Sequence, residues 1–160
     1  MKNNKVIETK TINDLDIDCR YLYRGKRRNS GEWSYGYLYI THTGQYEISK
    51  YDKTTDMERM TAIVVPETVG QCTGLKDING RLIYDGDILK MKYRMELVPL
   101  FGLPTMTTSY AVVAWNKNEG SWNLIMNGYD IGNLAHYVGF NNLNSNGAIV
   151  FGNIYDKQHN

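Results

Sequence analysis

Residues 66–87 read PETVGQCTGLKDINGRLIYDGD, with turn signals at Gly70, Gly74, Asn79-Gly80 and Gly86. Asn-Gly is the strongest short hairpin signal, because both central residues of a type I′ turn need positive φ. Leu75 and Ile78 before it, and Leu82, Ile83 and Tyr84 after it, supply apolar anchors. The stretch is therefore expected to fold as a compact β corner.

The flanking sequence continues the pattern. Cys19, Tyr21 and Tyr23 alternate with Arg20, Leu22 and Arg24, and after a polar loop (residues 25–31) come Trp33, Tyr35, Tyr37 and Tyr39. This alternation predicts two strands joined by that loop. His42-Thr43-Gly44 leads into a third strand, with Tyr46 and Ile48 on one face and Glu47 and Ser49 on the other. Pro66 marks an element boundary after the β-branched run 61–65. Residues 87–93 and 109–115 read as an antiparallel strand pair, 121–126 as a return strand after a turn, and 148–155 as the last strand. Residues 127–147 read as a long connection holding one short strand or helical turn. Thirteen tyrosines and 15 glycines against three prolines also favour strands and tight turns.

The expected fold is mainly β with little helix: a small antiparallel barrel-like core with an N-terminal β-hairpin region. Its divisions are a flexible arm (1–16), a hairpin subdomain (17–66) and a barrel-like subdomain (67–160), forming one continuous unit. At 160 residues the chain suits one ordinary domain or two small ones sharing a core. Its 18 basic and 17 acidic residues give a net charge of +1, so no overall field steers it to nucleic acid or an anionic membrane. The polar N-terminus and the lack of a long apolar run give the expectation of a cytoplasmic protein with no membrane partner. Cys19 and Cys72, with no CxxC spacing, read as ordinary thiols.

The segment PETVGQCTGLKDINGRLIYDGDIL resembles the central motif of the YopX family, a V-G-Q-x-T-G-L-x-D-x-x-G hairpin followed by I-Y-x-G-D-I. RYLYRGKRRNSGEWSYGYL (20–38) is similar to that family's N-terminal strand pair, and FGNIY (151–155) to its terminal strand. Residues 94–108, and the tail after Tyr155, depart from the pattern. The resemblance implies a phage or prophage origin in a bacterial host, a mostly β fold and self-association. It supplies no catalytic residues.

Candidate chemistry is sparse. His42, His136 and His159 show no HxxxH or HExxH spacing and read as loop histidines. Asp77, Asp85 and Asp87 could suggest a metal, but they stand where turns prefer aspartate. No catalytic residue, metal or cofactor is expected. The best local feature is the cationic run Arg24, Lys26, Arg27 and Arg28 beside Trp33 and Tyr35, since guanidinium forks grip phosphates and aromatic faces stack on bases. Its bland counterpart is a solvated loop whose charges oppose aggregation. The apolar stretch Leu97, Val98, Leu100, Phe101 and Leu103 reads as an oligomer or partner interface. The leading expectation is a non-enzymatic phage accessory protein that forms homo-oligomers and binds a host factor or a small anionic, nucleotide-like ligand, so as to interfere with host regulation or defence. A nucleic-acid binder and a small metal-dependent hydrolase are the rivals.

Overall fold

A computed structural model of the chain describes residues 19–49, 61–95, 105–138 and 145–156. The expected arm (1–16), the interface residues Leu97, Val98, Leu100, Phe101 and Leu103, and His159 lie outside the described residues. The fold is mainly β, in two antiparallel sheets. The first contains β1 (Tyr23–Lys26), β2 (Trp33–Ile40), β3 (Tyr46–Ser49), β4 (Thr61–Ile63), β5 (Gly70–Lys76) and β6 (Leu82–Tyr84), in the order β4-β3-β2-β1-β5-β6. The second contains β7 (Asp87–Met95), β8 (Thr105–Asn116), β9 (Ser121–Met126), β10 (Tyr129–Asn133) and β11 (Ser145–Asn153), in the order β10-β9-β8-β7-β11. Among the described residues, helix is confined to α1 (Ala135–Val138) and short 3-10 turns. Each sheet order has two ends, so the barrel-like core takes the form of two open sheets rather than a closed ring.

The second sheet carries the main core. Leu89, Met91, Ala111, Val113, Leu124, Ala148 and Val150 alternate onto one face and pack with Ile83 and Leu134. The leucine, valine, isoleucine and methionine side chains among them each contribute on the order of 1.5–3 kcal/mol when fully buried. β7 and β8 pair from Ile88↔Val112 to Met95↔Thr105, as the alternation of both segments foretold.

Three local expectations change. Residues 19–21 form a 3-10 turn closed by the Leu22 N–H on the Cys19 carbonyl (2.9 Å), so the first strand starts at Tyr23 and takes in Gly25 and Lys26, which the alternation had left in the loop. Pairing with β2 continues through Gly25 and Lys26, while β5 pairs with Tyr23 and Arg24, and together they hold β1 extended. The Asn79-Gly80 turn is wider than a two-residue hairpin: Lys76 faces Leu82, and Gly80 (φ 80°) alone has positive φ there. Asp77 organises it, its carboxylate accepting the N–H groups of Asn79 (2.9 Å) and Arg81 (2.8 Å). The type I′ geometry occurs instead at Asn127-Gly128, φ 52° and 82°, joining Met126 directly to Tyr129. The connection after Asn127 thereby opens with a fifth strand of the second sheet.

Candidate functional site

Two contacts lock the sheets together. The β5–β6 turn is stitched to β11 by the Ile78 N–H on the Ala148 carbonyl (3.2 Å) and the Val150 N–H on the Asp77 carboxylate (3.0 Å). On the opposite side Arg24 of β1 donates to the Asp87 carboxylate at the start of β7, with Arg24 2% exposed and Asp87 0%. The guanidinium lies 4.6 Å from the Trp33 ring centroid and 4.8 Å from that of Tyr84. Asp87 also accepts the Tyr84 N–H (2.8 Å). Burial pushes the Asp87 carboxyl up, while Arg24 and the Tyr84 N–H oppose the rise. Burial also raises the Tyr84 phenol.

The structure brings four of the six expected ligand residues, Arg24, Lys26, Trp33 and Tyr35, onto one face of β1–β2 and commits them to internal contacts. Lys26 Nζ donates to the Tyr155 carbonyl (2.6 Å) and lies 3.3 Å from the Asp156 carboxylate. Trp33 Nε1 donates to Asp156 (2.9 Å), and the Tyr35 ring meets Tyr84 edge-on at 5.7 Å. Burial would raise the Asp156 carboxyl, but the hydrogen bonds from Trp33 and Lys26 outweigh it and hold the group below its usual range. Arg27 and Arg28 leave this face: Arg27 bridges Val64, and the Arg28 N–H bonds the Ile63 carbonyl (3.0 Å) with its side chain exposed. Alternation turns Arg27 to the side opposite Arg24 and Lys26, and Arg28 lies beyond the strand's end at Lys26, in the turn.

Tyr23 opens onto a different feature. Its cross-strand partner is Gln71, and the Asp85 N–H bonds the Gln71 carbonyl (2.9 Å), so Tyr23, Gln71 and Asp85 form a row across the first sheet. This row faces Trp115 and Trp122, which pair across β8–β9 on the second sheet with ring centroids 5.1 Å apart, edge to face. Together with Arg20, Val69, Cys72 and Thr73 these residues line a cleft of about 570 Å³ between the sheets. Arg20 is exposed, its stem lying against Gly74, where a Cβ would stand 2.7 Å from Arg20 Cγ. Trp115, which lines the cleft, is 50% exposed. Burial raises the Asp85 carboxyl, with the Gly86 N–H and Arg24 opposing. Gln71 donates one of its two amide N–H groups to the Arg20 carbonyl (2.8 Å), leaving the other and the amide oxygen.

Sequence reading placed Trp115 and Trp122 on neighbouring strands but did not join them to Tyr23 or Asp85. The strands concerned belong to different sheets, and no local period encodes their approach. His42 sits exposed in the β2–β3 turn and His136 exposed on α1. Among the described residues no three His, Cys, Asp or Glu side chains are grouped to hold a metal ion. None of the described helices is long and apolar enough to cross a membrane.

A family model described as YopX protein matches residues 22–159. The chain belongs to the YopX family. The match spans the strand pair, the central hairpin motif and the terminal strand on which the sequence resemblance rested. In this YopX-family chain the motif Val69-Gly70-Gln71-Cys72-Thr73-Gly74 supplies one wall of the cleft, and Tyr84-Asp85-Gly86-Asp87 carries the chain from one sheet to the other. No curated protein and no solved structure matches the chain.

Proposed function

We propose that this YopX-family chain works by binding rather than by catalysis, and that it takes a small, nucleotide-like ligand in the inter-sheet cleft. The observation that carries this reading is the pairing of a half-exposed Trp115 with Arg20, Gln71 and Asp85 around one opening. The cleft volume, about 570 Å³, lies within the roughly 300–1,000 Å³ of small-molecule sites. An indole face stacks on a nucleobase, and a guanidinium at the rim neutralises a phosphate. The nucleophile-type side chains at the cleft serve structure: Cys72 is 0% exposed, and the Thr73 hydroxyl donates to the Ile83 carbonyl (3.0 Å) while accepting the Leu75 N–H (3.1 Å). A phage or prophage accessory role, sequestering such a ligand from host regulation or defence, fits a binding protein of this family.

The test is titration of the purified protein with nucleoside monophosphates at low salt, read by tryptophan fluorescence and calorimetry. Saturable binding that Trp115→Ala abolishes without unfolding supports the reading. Absence of binding, or wild-type affinity in Trp115→Ala, overturns it.

A second reading concerns a second copy of this chain. The outer face of the second sheet exposes Phe151 (62%), Tyr110 (46%) and Ile149 (39%), with Tyr110 and Phe151 in edge contact at 5.1 Å. Lys92 projects on this face at one end, past Lys90, which stands between Tyr110 and Ile149, and Asp130 and Glu119, bonded to Asn123, stand at the other. A two-fold axis across the stripe would set each basic end over the partner's acidic end. Sedimentation equilibrium should show two chains per particle and one chain for Phe151→Asp; a monomeric wild type at near-millimolar concentration overturns it.

A further inference from the structure

The geometry points to a guanine base, rather than adenine, as the group this cleft recognises, with Asp85 and Gln71 as the residues that read its edge. The inference rests on the nucleotide reading of the cleft given above.

The argument turns on the sign of the hydrogen-bonding groups. Asp85 and Gln71 are cross-strand neighbours whose backbones are bonded at 2.9 Å, so their side chains stand together on one wall. An ionised carboxylate only accepts hydrogen bonds. One of the two Gln71 amide N–H groups is given to the Arg20 carbonyl at 2.8 Å, leaving the second N–H and the amide oxygen to a ligand. Thr73 has spent its hydroxyl proton on the Ile83 carbonyl. At Asp85 that wall therefore asks its ligand for donors, with one Gln71 N–H beside it to meet an adjacent acceptor such as a base's 6-oxo group. Guanine presents two adjacent donors, N1–H and the N2 amino group, which match a carboxylate in a paired fashion. Adenine presents an acceptor, N1, beside its single amino donor, and would set a lone pair against Asp85.

The rest of the cleft suits the remainder of such a ligand. Trp115 and Trp122 line the same cleft, and an indole flanking the plane of a base held by its edge would stack on its face. Arg20, at the exposed rim, stands where a phosphate would leave the cleft. Asp85 and Gln71 are half-buried, and an acceptor that a bound ligand cuts off from water without supplying a donor costs more than a matched donor gains, so selectivity is the signature of the site.

The experiment compares guanosine, inosine, adenosine and xanthosine 5′-monophosphates on wild type, Asp85→Asn and Gln71→Leu by calorimetry. Wild type should bind the guanine compound tightest. Inosine, lacking the N2 amino group, should bind about tenfold more weakly, the scale of one lost hydrogen bond to a charged group, and adenosine more weakly still. Asp85→Asn exchanges one acceptor for a donor, so it should lose the guanine compound and gain the xanthine compound, whose 2-oxo group accepts. That gain is a readout which a misfolded variant cannot produce. Gln71→Leu should weaken the guanine compound while keeping its rank. Equal binding of guanine and adenine compounds, or an Asp85→Asn variant with unchanged preference, overturns the guanine inference and leaves the nucleotide reading standing. No binding of any of the four overturns both.

Discussion

Replacing Arg24 by Met should be among the most damaging single changes this chain can suffer. The side chain is 2% exposed, its partner Asp87 is 0% exposed, and the substitution keeps the packed stem but removes the charge. Breaking a buried ion pair by deleting one partner costs about 3–5 kcal/mol, because the other charge stays buried. Loss of the cation between Trp33 and Tyr84 adds about 1 kcal/mol. The sum, about 4–6 kcal/mol, is comparable with the whole stability of many domains, about 5–15 kcal/mol. In urea unfolding followed by tryptophan fluorescence, the midpoint should fall by about 2 M or more. The deficit should depend on pH in a definite sense. Burial already raises the Asp87 carboxyl, and removing Arg24 takes away a group that opposes that rise. A carboxyl whose folded pKa lies above its unfolded value gives stability that is present at acid pH and lost as pH rises through the folded value. The variant should therefore recover toward wild type on acidification, and Arg24→Met/Asp87→Asn should recover part of the loss at neutral pH. A loss below about 1 kcal/mol in Arg24→Met, with an unchanged denaturant slope, would refute the claim that this pair clasps the sheets.

Asp77→Ala strips acceptors from the N–H groups of Asn79, Arg81 and Val150 at once, and should cost about 3 kcal/mol by chemical unfolding; a change within 0.5 kcal/mol, the ordinary scatter of surface substitutions at about that size, would show that the stitch to β11 is dispensable. Gly70→Ala places a Cβ 2.7 Å from the Asp85 carbonyl oxygen, a backbone atom, so it should cost about 1–3 kcal/mol and weaken ligand binding as the cleft wall shifts; a melting temperature and an affinity both equal to wild type would contradict the tight approach. Asp156 is held below the usual carboxylate range, so the stability it lends is present above its unfolded pKa and lost as pH falls through the lowered folded value. The Trp33 indole N–H resonance should accordingly titrate with a midpoint below that of an ordinary aspartate, and a midpoint at or above the ordinary value would break the assignment.

Sequence alone determined the strand content, the β7–β8 and β8–β9 hairpins and the family, because alternation and turn chemistry are properties of neighbouring residues. Trp33 and Tyr35 alternate to one face whatever lies beyond that face, and Asn116 to Gly120 turns the chain without outside help. The same locality misled at Asn79-Gly80, where the Asp77 carboxylate holds a wider turn, while the identical dipeptide at Asn127-Gly128 takes the two-residue form. What tertiary structure decided was the use made of charge. Arg24 finds its partner 63 residues away, and Trp33 finds Asp156 at a separation of 123. Within a cationic run that reads as a phosphate grip, Arg24 becomes a clasp between sheets, since a buried guanidinium must be paired while a solvated one need not be. The cleft likewise exists only where Tyr23, Gln71 and Asp85 of one sheet meet Trp115 and Trp122 of the other. Residues on different sheets share no local period, and only packing of the apolar faces brings them within reach of one ligand.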